Sequence, residues 1–172
     1  MADFGGGELE AFRAEVRDWL AANYPPSLNA PMDDETEAPW GGRRFNPKNK
    51  DAKLWLDRMA AKGWTAPMWP TQYGGGGLSR EQNKVLEAEL RRIKARPALM
   101  SFGIWMLGPV LLEYATEEQK QKFLPGIVKG EIPERHNGVL ISNEVLVARS
   151  SSPSPSRSTI SIGHSAFFAI GG

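Results

Sequence analysis

The chain has 172 residues, 41% hydrophobic and 24% charged, with a formal net charge of +1: enough to bury one core, and too neutral to draw nucleic acid or an anionic membrane by its overall field. It has no cysteine, which excludes disulfides, thiolate metal sites and thiol nucleophiles. No apolar run approaches the roughly 18 residues that span a bilayer, and residues 1–10 lack the basic and apolar regions of a targeting peptide, so a soluble, cytoplasmic protein is expected.

The first predicted helix covers about residues 8–22. Leu9, Phe12, Val16, Trp19 and Leu20 recur at helical spacing and make one apolar stripe. Pro25 and Pro26 end it, because proline lacks the amide and restricts the residue before it. A long connection follows to about Pro47, with an acidic cluster (Asp33, Asp34, Glu35, Glu37) and then Gly41, Gly42, Arg43 and Arg44; it is read as a solvated surface loop. A second helix, about 50–62, has Leu54, Trp55, Met59 and Ala60 as its apolar side, and Gly63 suits the left-handed residue after its last turn.

Residues 63–79 hold two prolines and a run of four glycines, which forbid a continuous helix. Trp64, Trp69 and Tyr73 in this stretch call for burial. Ser79 with Gln82 forms a capping-box pattern that opens a third helix, striped by Val85, Leu86, Leu90 and Ile93 and stopped by Pro97. A fourth segment, about 101–114, is apolar nearly all round, the pattern of a buried central helix, with a kink or interruption expected at Gly108 and Pro109. Thr116 with Gln119 is a second capping box. It opens a fifth helix that carries Glu117 and Glu118 where the helix dipole favours acids, then Phe123, Leu124, Ile127 and Val128, and ends at Gly130. The fold class expected is all-α, a bundle of about five helices with a mostly irregular C-terminal tail.

Composition changes at Pro133. All six tryptophans, all three tyrosines and all nine lysines precede it, whereas nine of the last 40 residues are serine. The expected division is a helical domain over 1–132 and a low-complexity tail over 133–172, disordered or aberrant, with a short strand conceivable only over 139–148.

In the aromatic loop the sequence resembles the acyl-CoA dehydrogenase family. The family's Gly-Trp stands here as Gly63-Trp64, and its Pro-x-x-Tyr/Cys-Gly-Gly-x-Gly-Leu-Ser/Gly as Pro70-Thr71-Gln72-Tyr73-Gly74-Gly75-Gly76-Gly77-Leu78-Ser79. Its capping segment stands as Ala115-Thr116-Glu117-Glu118-Gln119-Lys120, followed by Leu124-Pro125 and Gly130-Glu131. The resemblance covers about residues 8–132. It implies an FAD-dependent oxidoreductase that desaturates an acyl-CoA thioester between its α and β carbons, in which a helical N-terminal domain packs on a β-domain and a C-terminal bundle. It also implies that the central helix contributes to the floor of the acyl pocket. By position Phe102 and Met106, with Leu99 one turn earlier, fall there, although core packing alone explains an apolar stripe equally well.

After Gly130-Glu131 the family continues with a strand and turn that approach the flavin. Here residues 132–138 read Ile-Pro-Glu-Arg-His-Asn-Gly and contain none of that motif. No catalytic residue and no cofactor-binding residue is therefore assigned. The tail is read as an out-of-frame or truncated reading of a longer gene, and the chain is expected to be inactive alone, with FAD binding only if a partner subunit or a second copy completes the site. The alternative is a non-catalytic helical module that binds a protein partner.

Other signals are weaker. Gly74 to Gly77 has no preceding strand and no following Lys-Ser/Thr, so a tight turn is expected there and not a phosphate cradle. Arg91, Arg92, Lys94 and Arg96 suit the C-terminal dipole of the third helix. Glu87 and Glu89 do not face one another and are expected to be solvated. His136 and His164 have no ligand cluster around them, and no metal site is expected.

Overall fold

The computed structural model describes residues 6–30, 38–41 and 49–131. The acidic cluster at 33–37, Arg43, Arg44, both histidines and the whole tail from residue 132 lie outside them. Among the described residues there are five α-helices and no strand: α1 (Gly6–Asn23), α2 (Lys50–Ala61), α3 (Arg80–Arg92), α4 (Gly108–Tyr114) and α5 (Glu117–Val128). Short 3-10 turns lie at Pro26–Asn29 and Thr71–Tyr73.

Local chemistry fixes the helix ends. Asn49 caps α2 by accepting from the Asp51 amide. Both predicted capping boxes form: Ser79 accepts from the Gln82 amide at 3.2 Å and Thr116 from the Gln119 amide at 3.3 Å, each glutamine bonding back to the cap amide. Gly63 takes φ +74°, as the left-handed position after α2 requires. A Cβ there would also lie 2.5 Å from the Gly75 carbonyl carbon, so the aromatic loop folds directly onto the end of α2.

Packing falls into two clusters. The first joins α1, α2 and α3 through Val16, Leu20, Leu28, Trp55, Met59, Trp64, Leu86 and Ala98. Three tryptophans lock it: Trp19 meets Trp64 edge-on at 4.7 Å and Trp55 at 5.9 Å. Trp55 Nε1 donates to the Arg96 carbonyl at 3.1 Å, so its one polar atom is not stranded. The second cluster joins the aromatic loop to α4 and α5 through Ala66, Trp69, Tyr73, Leu111, Leu124, Ile127 and Val128. Each fully buried aliphatic contributes about 1.5–3 kcal/mol.

Three expectations need correcting. Leu54 is exposed, and Leu56 takes its place on the buried side of α2, because Trp55 and Met59 set the inward direction. Glu89 is not solvated. It is 2% exposed on α3 and receives Arg13 Nη1 at 3.1 Å, Arg17 Nε at 3.0 Å and Arg92 Nε at 2.6 Å. Hydrogen bonds from Arg17, then Arg92 and Arg13, hold its carboxyl down to about 2 against the upward push of burial. The fourth segment, finally, is not a buried central helix: one side is packed and the other is open.

Candidate functional site

The open side of that segment is the candidate site. Ser101 is buried, and its Oγ accepts the Gly103 amide at 3.0 Å, which starts the coil. Residues Gly103–Leu107 form a π turn, closed by the Gly108 amide on the Gly103 carbonyl. Pro109 offers a physical reason. It has no N–H to give the Trp105 carbonyl, so an α-helical ladder cannot run through this point, and the wider π turn precedes the change to α4. The interruption expected at Gly108 and Pro109 is thus present.

The inner side of the coil packs tightly. A Cβ at Gly108 would collide with the six-membered ring of Trp69, and Leu111 is fully buried. The outer side carries Phe102, Met106, Val110 and Tyr114, four residues apart, with Trp105 beside them. They are 49%, 65%, 47%, 51% and 55% exposed in that order. Trp40, 42% exposed, extends this surface from a separate segment: its indole lies over the Phe102 ring at 6.0 Å and 17°. Phe102 in turn meets Trp105 edge-on at 6.1 Å. Scattered apolar residues on a surface are ordinary, but a continuous run of large ones marks a surface that something covers.

Of the three pocket residues named from sequence, Phe102 and Met106 lie on this open face. Leu99 is half-buried and precedes the coil without being part of a helix. It wedges between two backbones: a Cβ at Gly41 would lie 3.0 Å from Leu99 Cδ1, and one at Gly130 only 2.9 Å. Sequence reasoning missed Trp40, which sits in a connection with no periodicity to interpret. It included Trp105 and Val110 among the buried residues because an all-apolar helix gives no sign of which side is covered.

The surface is apolar apart from the Tyr114 phenol. Trp40, Phe102, Trp105, Met106 and Val110 carry no group that gives or takes a proton at neutral pH. The Tyr73 hydroxyl, on the second cluster, donates to the Glu117 carboxylate at 2.8 Å; burial, then Glu117, raises its pKa. Among the described residues no group of three or more His, Asp or Glu could hold a metal ion.

The glycine run offers no cradle for a flavin's pyrophosphate. The amides of Gly74, Gly75, Gly76, Gly77 and Leu78 donate to the carbonyls of Thr71, Pro70, Ala66, Trp69 and Pro67, so none is left to cradle a pyrophosphate. That spent set of amides supports the tight-turn reading of the glycine run. An open groove of about 340 Å³ lies beside α3, with Trp55, Met59, Leu90 and Ala98 in its apolar lining and Glu87, Arg91 and Arg96 as its charged groups. The Arg96 side chain is bonded to the Ala30 carbonyl, and its backbone amide to Tyr24 Oη, so this arginine ties the first cluster together. Among the described residues no helix is long and apolar enough to cross a membrane.

Residues 7–131 match the family described as acyl-CoA dehydrogenase, N-terminal domain. The chain is 36% identical over 121 residues to acyl-CoA dehydrogenase IpdE1 of Mycolicibacterium smegmatis, covering 70% of this chain and 30% of that protein. To IpdE1 of Mycobacterium tuberculosis it is 34% identical over 120 residues, with the same coverage. Among solved structures, the ChsE4-ChsE5 complex from Mycobacterium tuberculosis matches with a TM-score of 0.51 and 25% identity, over 77% of this chain and 30% of that one. The chain spans about 30% of the length of the curated relatives it matches.

Proposed function

Because the chain belongs to the acyl-CoA dehydrogenase family, matching its N-terminal domain over residues 7–131, we propose that it forms the helical wall of an acyl site in an enzyme that desaturates an acyl-CoA thioester. The observation that carries this reading is the uncovered apolar stripe, with Phe102 and Met106 at its exposed crest. Leu99 acts from behind, as the wedge that sets where the coil begins. The wall supplies a dry, shaped surface for the acyl group and excludes water from it. FAD, the family's cofactor, would accept the hydride in such a reaction; the groups that hold it belong to residues outside this chain, such as those of a partner subunit. Residues 1–132 act as one domain in this reading.

A second reading, a helical module that docks on another protein, draws on the same stripe. One titration separates the two. Octanoyl-CoA is expected to change the tryptophan fluorescence of the chain, because Trp40 and Trp105 flank the stripe, while free CoA leaves it unchanged. Equal responses to the two ligands would sink the acyl role and leave the protein-docking reading standing. Purified with added FAD, the chain is expected to be colourless. A flavin spectrum that stays with a discrete folded species would overturn the placing of the cofactor groups outside this chain.

A further inference from the structure

Among the described residues, Trp40 brings a large apolar side chain to this surface from outside the coil. Its segment is held in place by neighbours and not by the indole. The Met100 amide donates to the Pro39 carbonyl at 2.7 Å, the Trp40 amide to the Ala38 carbonyl at 2.8 Å, and Pro39 is buried. Gly41 takes φ +73° with its α-carbon so close to Gly130 that a Cβ would lie 2.8 Å from the Gly130 carbonyl oxygen. Only glycine meets both demands at position 41, so the backbone fixes where Trp40 stands. The indole then stacks on Phe102 while Trp40 stays 42% exposed. The stripe runs from Phe102 through Met106 and Val110 to Tyr114, and Trp40 stands at its Phe102 end.

We infer that Trp40 is a specificity-determining residue, an end wall that limits how far an acyl chain can extend along the stripe beyond Phe102. This rests on the reading of the stripe as an acyl surface. A rigid indole carried on a backbone tied to Met100 and pressed against Gly130 resists being pushed aside. A chain that reaches the wall gains from stacking against it, and a longer one must bend away and leave methylenes in water. Discrimination of one or a few methylenes by such a wall is worth about 10- to 200-fold.

Affinities of butyryl-CoA, octanoyl-CoA and palmitoyl-CoA for the full chain, measured by calorimetry below their micellar concentrations, test this. Trp40→Ala should raise the palmitoyl-to-octanoyl affinity ratio roughly tenfold, and Trp40→Phe, which restores a flat ring, should return it to within about threefold of the starting value. If Trp40→Ala does not fold, Trp40→Leu keeps apolar contact with Phe102, shortens the wall and should move the ratio in the same direction. Binding by the wild type with ratios that the folded variants leave unchanged overturns the role of Trp40 alone. Failure of the wild type to bind any of the three overturns the acyl reading, and the end wall with it.

Discussion

Glu89 and the stripe from Phe102 to Tyr114 exchange the usual places of charged and apolar groups. On α3 a carboxylate is buried to 2% exposure; on the coil before and along α4, five large apolar side chains are about half open to solvent. The buried carboxylate is fully answered within the chain, by guanidinium groups from α1 and from its own helix. In the stripe, Phe102 stacks with Trp40 and meets Trp105 edge-on, while the outer side stays about half open. The difference separates two kinds of exception to the hydrophobic rule. One closes on itself; the other leaves large apolar side chains half open, and in the reading proposed above an acyl group covers them.

Substitutions can break that contrast in order of size. Glu89→Ala should cost the largest amount, about 3 kcal/mol in urea unfolding, because it removes charge-assisted hydrogen bonds that tie α1 to α3. An unchanged midpoint would show that the arginines merely hydrate the surface. The same carboxylate gives the contrast a pH signature. Its folded pKa is depressed from 4.5 to about 2, so its stabilising contribution is complete above about pH 4.5 and is lost as pH falls toward 2. Glu89→Gln should flatten that acid limb.

Gly108→Ala should cost about 2 kcal/mol, since the added methyl meets the Trp69 ring in a packed cluster. It probes the inner side of the same coil whose outer side is bare. Ser79→Ala removes one capping box and should cost about 1 kcal/mol, with Thr116→Ala as its counterpart on α5. Met106→Glu, on the open crest, should change the unfolding midpoint least, by about 0.5 kcal/mol or less, while lowering light scattering if the stripe drives self-association. A large loss of stability from Met106→Glu would mean that the stripe is part of the chain's own core.

Much of the fold could be foreseen from local rules. Capping boxes, prolines and the glycine at 63 act over a few residues, and they placed the helices close to where they stand. The burial of Trp64, Trp69 and Tyr73 followed from their number in a loop that has to be packed somewhere. What escaped depends on neighbours distant in sequence. Glu89 looks solvated until Arg13 and Arg17, more than seventy residues earlier, come round to it. The open face of the coil could not be told from the packed one, because both are apolar and only the Trp69 ring at Gly108 decides which is inside. Leu99 was placed a helical turn before Phe102 by spacing alone, and the irregular chain through Pro97 breaks that spacing.

The bond between Tyr73 and Glu117 is a rivet between a glycine-rich loop and the first turn of a helix, and its strength has a direction in pH. The phenol's pKa is raised by its burial and by the carboxylate it serves. The rivet therefore holds fully below about pH 10, the ordinary tyrosine value, and fails as the pH rises through the higher folded value, when tyrosinate and carboxylate would face one another. Base, acting on Tyr73, should thus weaken the α4–α5 half, whereas acid, acting on Glu89, loosens the α1–α3 half. Hydrogen exchange followed at the two extremes would show whether the surface proposed to hold the acyl group can come undone while the rest of the protein stays folded.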